Sequence, residues 1–113
     1  MTELVSYSLE DGIATLTLNN GKVNAFSHEL IAEFNRGLDQ AEAAGAVVIV
    51  TGQPGILSGG YDLKVMMSGP QNAINLVAEG STLARRMLAH PQPIIVACTG
   101  HAVAKGAFVL LSA

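Results

Sequence analysis

Ala46-Val47-Val48-Ile49-Val50-Thr51-Gly52-Gln53-Pro54-Gly55-Ile56-Leu57-Ser58-Gly59-Gly60-Tyr61-Asp62-Leu63 decides the fold class. Its first third is a nearly continuous apolar run of β-branched residues, the pattern of a parallel strand buried on both faces. The run passes into a loop, residues 52–61, that holds Gly52, Gly55, Gly59 and Gly60. Asp62 then opens a short helix over 62–67, which Ser68-Gly69-Pro70 breaks. A strand that feeds a glycine loop and then a helix is the unit of a layered α/β domain.

Upstream, Val5–Ser8 alternates weakly and Glu10-Asp11-Gly12 signals a turn. Ile13–Leu18 follows, so residues 5–18 predict a hairpin. Ser27 is placed to cap a helix, with Glu29 in its first turn. Leu30, Ile31, Phe34, Leu38 and Ala41 recur at helical spacing, and Gly45 closes the helix. Downstream, residues 72–89 predict a second long helix with Ile74, Leu76, Val77, Leu83, Met87 and Leu88 as its apolar stripe. His90-Pro91-Gln92-Pro93 ends it, Ile94–Cys98 is a further buried strand, and Thr99-Gly100-His101 leads into a last helix. The order is β-β-α-β-α-β-α, with a largely parallel sheet.

Composition narrows the class. The chain has 113 residues, and hydrophobic residues make up 50% against 13% charged. This excludes a disordered tail. A net charge of −3 leaves no basic footprint for nucleic acid. No apolar run approaches the ~20 residues of a membrane-spanning helix. The first residues lack the basic and apolar regions of a signal peptide. A soluble, cytoplasmic protein is the expectation. Lone Cys98 cannot form an internal disulfide, and no His/Cys cluster has metal-ligand spacing, so no metal is expected. Charge is scarce for a free-standing domain of this size. The apolar run Gly106–Ala113 has no closing glycine, which reads as a chain cut within a helix. Residues 1–113 are thus expected to be the N-terminal part of one domain.

Two glycine loops, Gly55–Leu63 and Gly100–Gly106, follow two strands. Loops of this kind turn backbone N–H groups outward where they can hold an anion. Two of them meeting at the carboxyl ends of a sheet would form an oxyanion hole made of backbone.

Leu57-Ser58-Gly59-Gly60-Tyr61-Asp62-Leu63 resembles the first signature of the crotonase (enoyl-CoA hydratase/isomerase) superfamily. That signature is an apolar residue, two small residues, Gly, any residue, Asp, then Leu or Ile. Leu18-Asn19 followed by Asn24-Ala25 is similar to the family's early loop. Pro91–Ala97 followed by Gly100-His101-Ala102 is similar to its strand before the second oxyanion loop. The resemblance covers the whole chain. It implies an α/β crotonase-like spiral of β-β-α turns, assembled as a homotrimer or hexamer. It implies an acyl-CoA substrate, with coenzyme A entering as part of that substrate and no separate cofactor. It places the catalytic backbone donors on Gly59 and Lys105, and the CoA contacts on Lys22, Val23, Ala25, Gly60, Asp62 and Leu63.

The chain departs from the family pattern twice. Lys105 stands where the family usually has Gly. Phe108 stands where hydratases carry a glutamate, and a phenyl ring neither activates water nor delivers a proton. The family's second glutamate would lie beyond Ala113. Single-base double-bond isomerisation is therefore favoured over hydration of an enoyl-CoA in fatty-acid-type metabolism. The alternative is a catalytically silent acyl-CoA-binding or assembly subunit.

Bland roles compete for the other polar residues. Asp62 suits a helix cap better than a general base. His101 suits a loop or subunit contact. Met66, Met67 and Met87 suit core or acyl-pocket lining, and Cys98 inert packing. Arg85-Arg86 is open between a CoA phosphate and a solvated or subunit-facing role.

Overall fold

The computed structural model describes residues 3–113. A hairpin opens the chain, β1 (Val5–Glu10) against β2 (Ile13–Leu18). They pair antiparallel from Val5↔Leu18 to Glu10↔Ile13. Asp11 and Gly12 both take positive φ, at 51° and 78°, as a tight hairpin turn requires. β3 (Val47–Thr51) then lies parallel to β2, and β5 (Ile94–Ala97) parallel to β3. The main sheet has the order β1-β2-β3-β5.

Helix α1 (His28–Ala43) begins where the sequence places it. The Ser27 Oγ accepts the Leu30 N–H at 3.1 Å. Gly45, at φ 62°, closes the helix, and the next N–H, of Ala46, bonds the Ala41 carbonyl at 3.0 Å. Leu30, Ile31, Phe34, Leu38 and Ala41 are buried. They meet the inward face of the sheet, formed by Ala14, Leu16, Leu18, Val48 and Val50. Full burial of a side chain such as Phe34 contributes roughly 1.5–3 kcal/mol. Gly37 lets α1 lie close to the sheet, because a Cβ there would sit 2.7 Å from a Leu16 methyl.

Among the described residues the sheet is covered on one face, by α1. Along β3 buried residues alternate with half-buried ones. In β5 Ile95 is exposed, and Cys98 beyond it is exposed too, donating to the Gly100 carbonyl. A run of β-branched residues satisfies either environment, so composition alone could not separate them.

Two further strands lie inside the stretches read as glycine loops. β4 (Gly55–Ser58) and β6 (Gly100–Ala102) pair parallel in a separate two-stranded sheet. The short helix α2 (Leu63–Met66) follows β4. α3 (Pro70–Ala89) starts at its proline, two residues earlier than expected. Its buried stripe is Leu76, Gly80, Leu83 and Met87. Ile74, Val77 and Leu88, expected within the stripe, are exposed. The spacing 76, 80, 83, 87 follows one helical face through a glycine, which an apolar count passes over. Met87 is core, Met66 packs against it, and Met67 is exposed.

α4 (Lys105–Leu111) closes at Leu111, where the Ser112 N–H bonds the Phe108 and Val109 carbonyls.

Candidate functional site

The two glycine loops meet. Val103 donates its N–H to the Ser58 carbonyl at 3.0 Å. A Cβ placed on Gly60 would lie 3.2 Å from the Ala104 Cβ and 3.7 Å from the Lys105 nitrogen. A Cβ on Gly106 would press into Ser58, 3.0 Å from its carbonyl carbon. Glycine at both positions is what allows two backbones to touch.

The early loop joins them. The Gly59 N–H donates to the Val23 carbonyl at 2.7 Å. Phe26 donates to the Gly60 carbonyl at 2.8 Å, and Asp62 donates to the Phe26 carbonyl at 2.9 Å. Beneath this contact lies Asn24, fully buried with φ 53°. Its Nδ2 donates to the Leu18 and Leu57 carbonyls, both at 3.0 Å. Its Oδ1 accepts the Asn20 N–H at 2.6 Å and the Gln53 Nε2 at 3.2 Å. The buried Ser58 hydroxyl completes the chain, donating to the Asn24 carbonyl at 2.8 Å and accepting the Gly60 N–H at 3.1 Å.

These bonds decide which amides are free. Gly59 and Gly60 are both spoken for. Among the described residues, the N–H groups of Tyr61 and Lys105 have no acceptor. The expectation that Gly59 supplies the first donor therefore meets an occupied amide. Two residues on, at Tyr61, the loop turns an N–H free. Lys105 keeps a free N–H because it is the first residue of α4. Lys105 itself is helical. The unusual conformation falls one residue earlier, on Ala104, at φ 50° and ψ −115°.

The side chains of these two residues converge. Lys105 is buried, and its Nζ donates to the Gly80 carbonyl of α3 at 2.6 Å. The same Nζ lies 5.9 Å from the centroid of the Tyr61 ring, within cation–π range. Burial holds the Lys105 ammonium below the usual lysine range and pushes the Tyr61 phenol above its usual value.

The expected CoA-contact residues divide. Lys22, Val23 and Leu63 are exposed, Ala25 is half-buried and Gly60 is buried. Val23 lies against Gly59, so Lys22, Val23 and Ala25 border the first glycine loop. The Asp62 Oδ1 accepts the Lys64 N–H at 2.9 Å, a cap on α2. Arg86 is engaged elsewhere, bonding the Asn35 carbonyl and the Asp39 carboxylate, and so braces α3 against α1. His28, at the start of α1, pairs with Glu79 at 2.8 Å. His101 is exposed on β6. Phe108, on α4, is also exposed. Among the described residues no group of three or more His, Cys, Asp or Glu side chains could hold a metal, and no helix is long and apolar enough to cross a membrane.

A spiral of β-β-α turns with two glycine loops in contact defines the crotonase class. Residues 8–113 match the family model described as enoyl-CoA hydratase/isomerase, and the chain belongs to that family. It is similar to an enoyl-CoA hydratase/isomerase family protein from Pseudomonas syringae, with 77% identity and a TM-score of 0.96 over 97% of this chain and 48% of that one. It is similar to the enoyl-CoA isomerase of Mycobacterium tuberculosis, with 39% identity and a TM-score of 0.92 over 99% of this chain and 49% of that one. A probable enoyl-CoA hydratase of Bacillus subtilis is 32% identical over 90% of this chain and 41% of its own length. The chain thus spans about half the length of these relatives or less.

Proposed function

We propose that this chain contributes the oxyanion hole of an acyl-CoA enzyme that moves a double bond. A base removes a proton next to the thioester carbonyl, and the electron pair shifts onto the carbonyl oxygen. The N–H groups of Tyr61 and Lys105 stabilise the charge that develops there. Donors fixed in advance need no reorganisation as the charge appears, and loss of one commonly costs about 100- to 1,000-fold in rate. The observation that carries this reading is the pair of unpartnered amides on two loops locked together through Val103, Ser58 and Gly60. In this reading Lys22, Val23 and Ala25, which border the first loop, take the CoA portion.

Isomerisation is preferred to hydration because Phe108 stands where hydratases carry an acid/base glutamate. One base suffices to take a proton from one carbon and return it to another, whereas hydration needs a second group for water. The same residue favours a second reading, a silent acyl-CoA-binding subunit.

The experiment is calorimetric titration of the full-length protein with acetoacetyl-CoA and with free CoA. Acetoacetyl-CoA presents an enolate-like oxygen. Tighter binding than free CoA, by tenfold or more, is expected. Equal binding refutes the oxyanion hole and leaves the silent subunit, and no binding of either refutes both. Turnover of a 3-enoyl-CoA then separates an enzyme from a binder.

A further inference from the structure

Lys105 and Tyr61 do more than expose two amides, because their side chains end at one place. Gly80, in the middle of α3, is buried and meets both. A Cβ on Gly80 would run into the Tyr61 hydroxyl and lie 2.8 Å from two ring carbons. The Gly80 carbonyl accepts the Lys105 Nζ at 2.6 Å. The Tyr61 ring, the Gly80 backbone and the Lys105 ammonium therefore form one closed contact that ties both loops to α3.

We infer that the Lys105 side chain is a positioning residue, a strap from the second donor loop to Gly80 that fixes the Lys105 amide against the Tyr61 amide. The need for a strap is visible in the backbone. Ala104, directly before the donor, holds a positive φ that a residue with a Cβ rarely adopts. Such a conformation persists where surrounding contacts over-determine it. The main-chain bonds Val103 N–H to Ser58 and Gly106 N–H to Val103 hold one side of the turn. The Lys105–Gly80 bond holds the other. A charged donor on a buried carbonyl is among the stronger hydrogen bonds, and the ring beside it adds attraction.

The strap also explains three residue choices together. Glycine at 80 admits the tyrosine ring, the ring supports the ammonium, and the ammonium reaches a carbonyl. A lysine at 105 is then a functional replacement for the usual glycine.

The inference rests on the proposed oxyanion hole, and its test keeps the two apart. Full-length wild-type, Lys105→Met and Gly80→Ala proteins are titrated with acetoacetyl-CoA and with free CoA. Lys105→Met keeps the amide and the apolar stem but loses the ammonium, and Gly80→Ala perturbs the strap from α3 with Lys105 intact. Wild-type protein is expected to prefer acetoacetyl-CoA, and both variants to lose about tenfold of that preference while free-CoA affinity stays within twofold. Loss of positioning alone produces this split, whereas general loosening lowers both affinities. A folded variant that keeps the full preference overturns the strap. So does a parallel fall in free-CoA affinity, or failure of either variant to fold, since the contact would then serve folding alone. If wild-type protein shows no preference, the oxyanion hole fails first, and the strap fails with it.

Discussion

Asn24 is the residue on which the geometry of the first donor loop depends, and its replacement separates two effects. Asn24→Gly keeps the positive φ of 53° at ease but removes the side chain. The Leu18 and Leu57 carbonyls lose the Nδ2 donor, and the Asn20 N–H loses its acceptor. The site is fully buried. An unsatisfied buried polar group costs about 1–3 kcal/mol, so two orphaned carbonyls cost roughly 2–6 kcal/mol. Asn24→Ala carries the same loss plus about 1–2 kcal/mol for a Cβ in left-handed backbone. Asn24→Asp sets an oxygen against the two carbonyls that the amide nitrogen served, and is expected to be the worst. Equilibrium urea unfolding of full-length protein is the assay. Stability is expected to fall in the order wild type, Gly, Ala, Asp, and acetoacetyl-CoA preference to fall with it. A Gly variant within about 0.5 kcal/mol of wild type would refute the account of Asn24 as a hub.

Ala104→Gly relieves the backbone strain before Lys105 and is expected to raise stability by about 1 kcal/mol, read as a Tm higher by a few degrees. An unchanged or lower Tm would show that Ala104 carries no strain. Gly106→Ala drives a Cβ into the Ser58 backbone and is expected to cost about 1–3 kcal/mol and to abolish the acetoacetyl-CoA preference, both measurable in the same titration and melt. The pH dependence follows from Lys105, whose folded-state pKa lies below its unfolded value of 10.5 because burial disfavours the ammonium. Between the two values the unfolded chain binds the extra proton, so this group's contribution to stability rises with pH across that window. The stability of wild type relative to Lys105→Met is expected to improve in urea unfolding as the pH rises through the alkaline range toward the unfolded value of 10.5. A flat difference would contradict the burial of the charge.

Local signals made part of this fold legible. The Asp11-Gly12 turn, the Ser27 cap and the spacing of Leu30, Phe34 and Leu38 each act within a few residues, and the structure matches them. β4 and β6 were not legible. Each is four residues or fewer, set among glycines, and paired with the other across more than forty positions. Nothing local marks such a strand. Likewise Gly80 in a helix reads as a weakness. Its purpose appears only when Tyr61 and Lys105 are seen to share it. The glycine loops pointed to outward backbone amides, but which amide is left free did not follow from spacing. Val23 takes the Gly59 N–H and the Ser58 hydroxyl takes that of Gly60. Both are contacts between distant segments or through a side chain, and together they leave Tyr61 as the free donor.

The central claim is that the Tyr61 and Lys105 amides together hold a thioester oxygen. A crystal structure of the full-length protein with acetoacetyl-CoA tests it directly. The account predicts the thioester oxygen at about 2.7–3.1 Å from both nitrogens, with the Gly59 N–H still on Val23. An oxygen bound to the Gly59 amide, or lying beyond hydrogen-bond reach of either Tyr61 or Lys105, would contradict it.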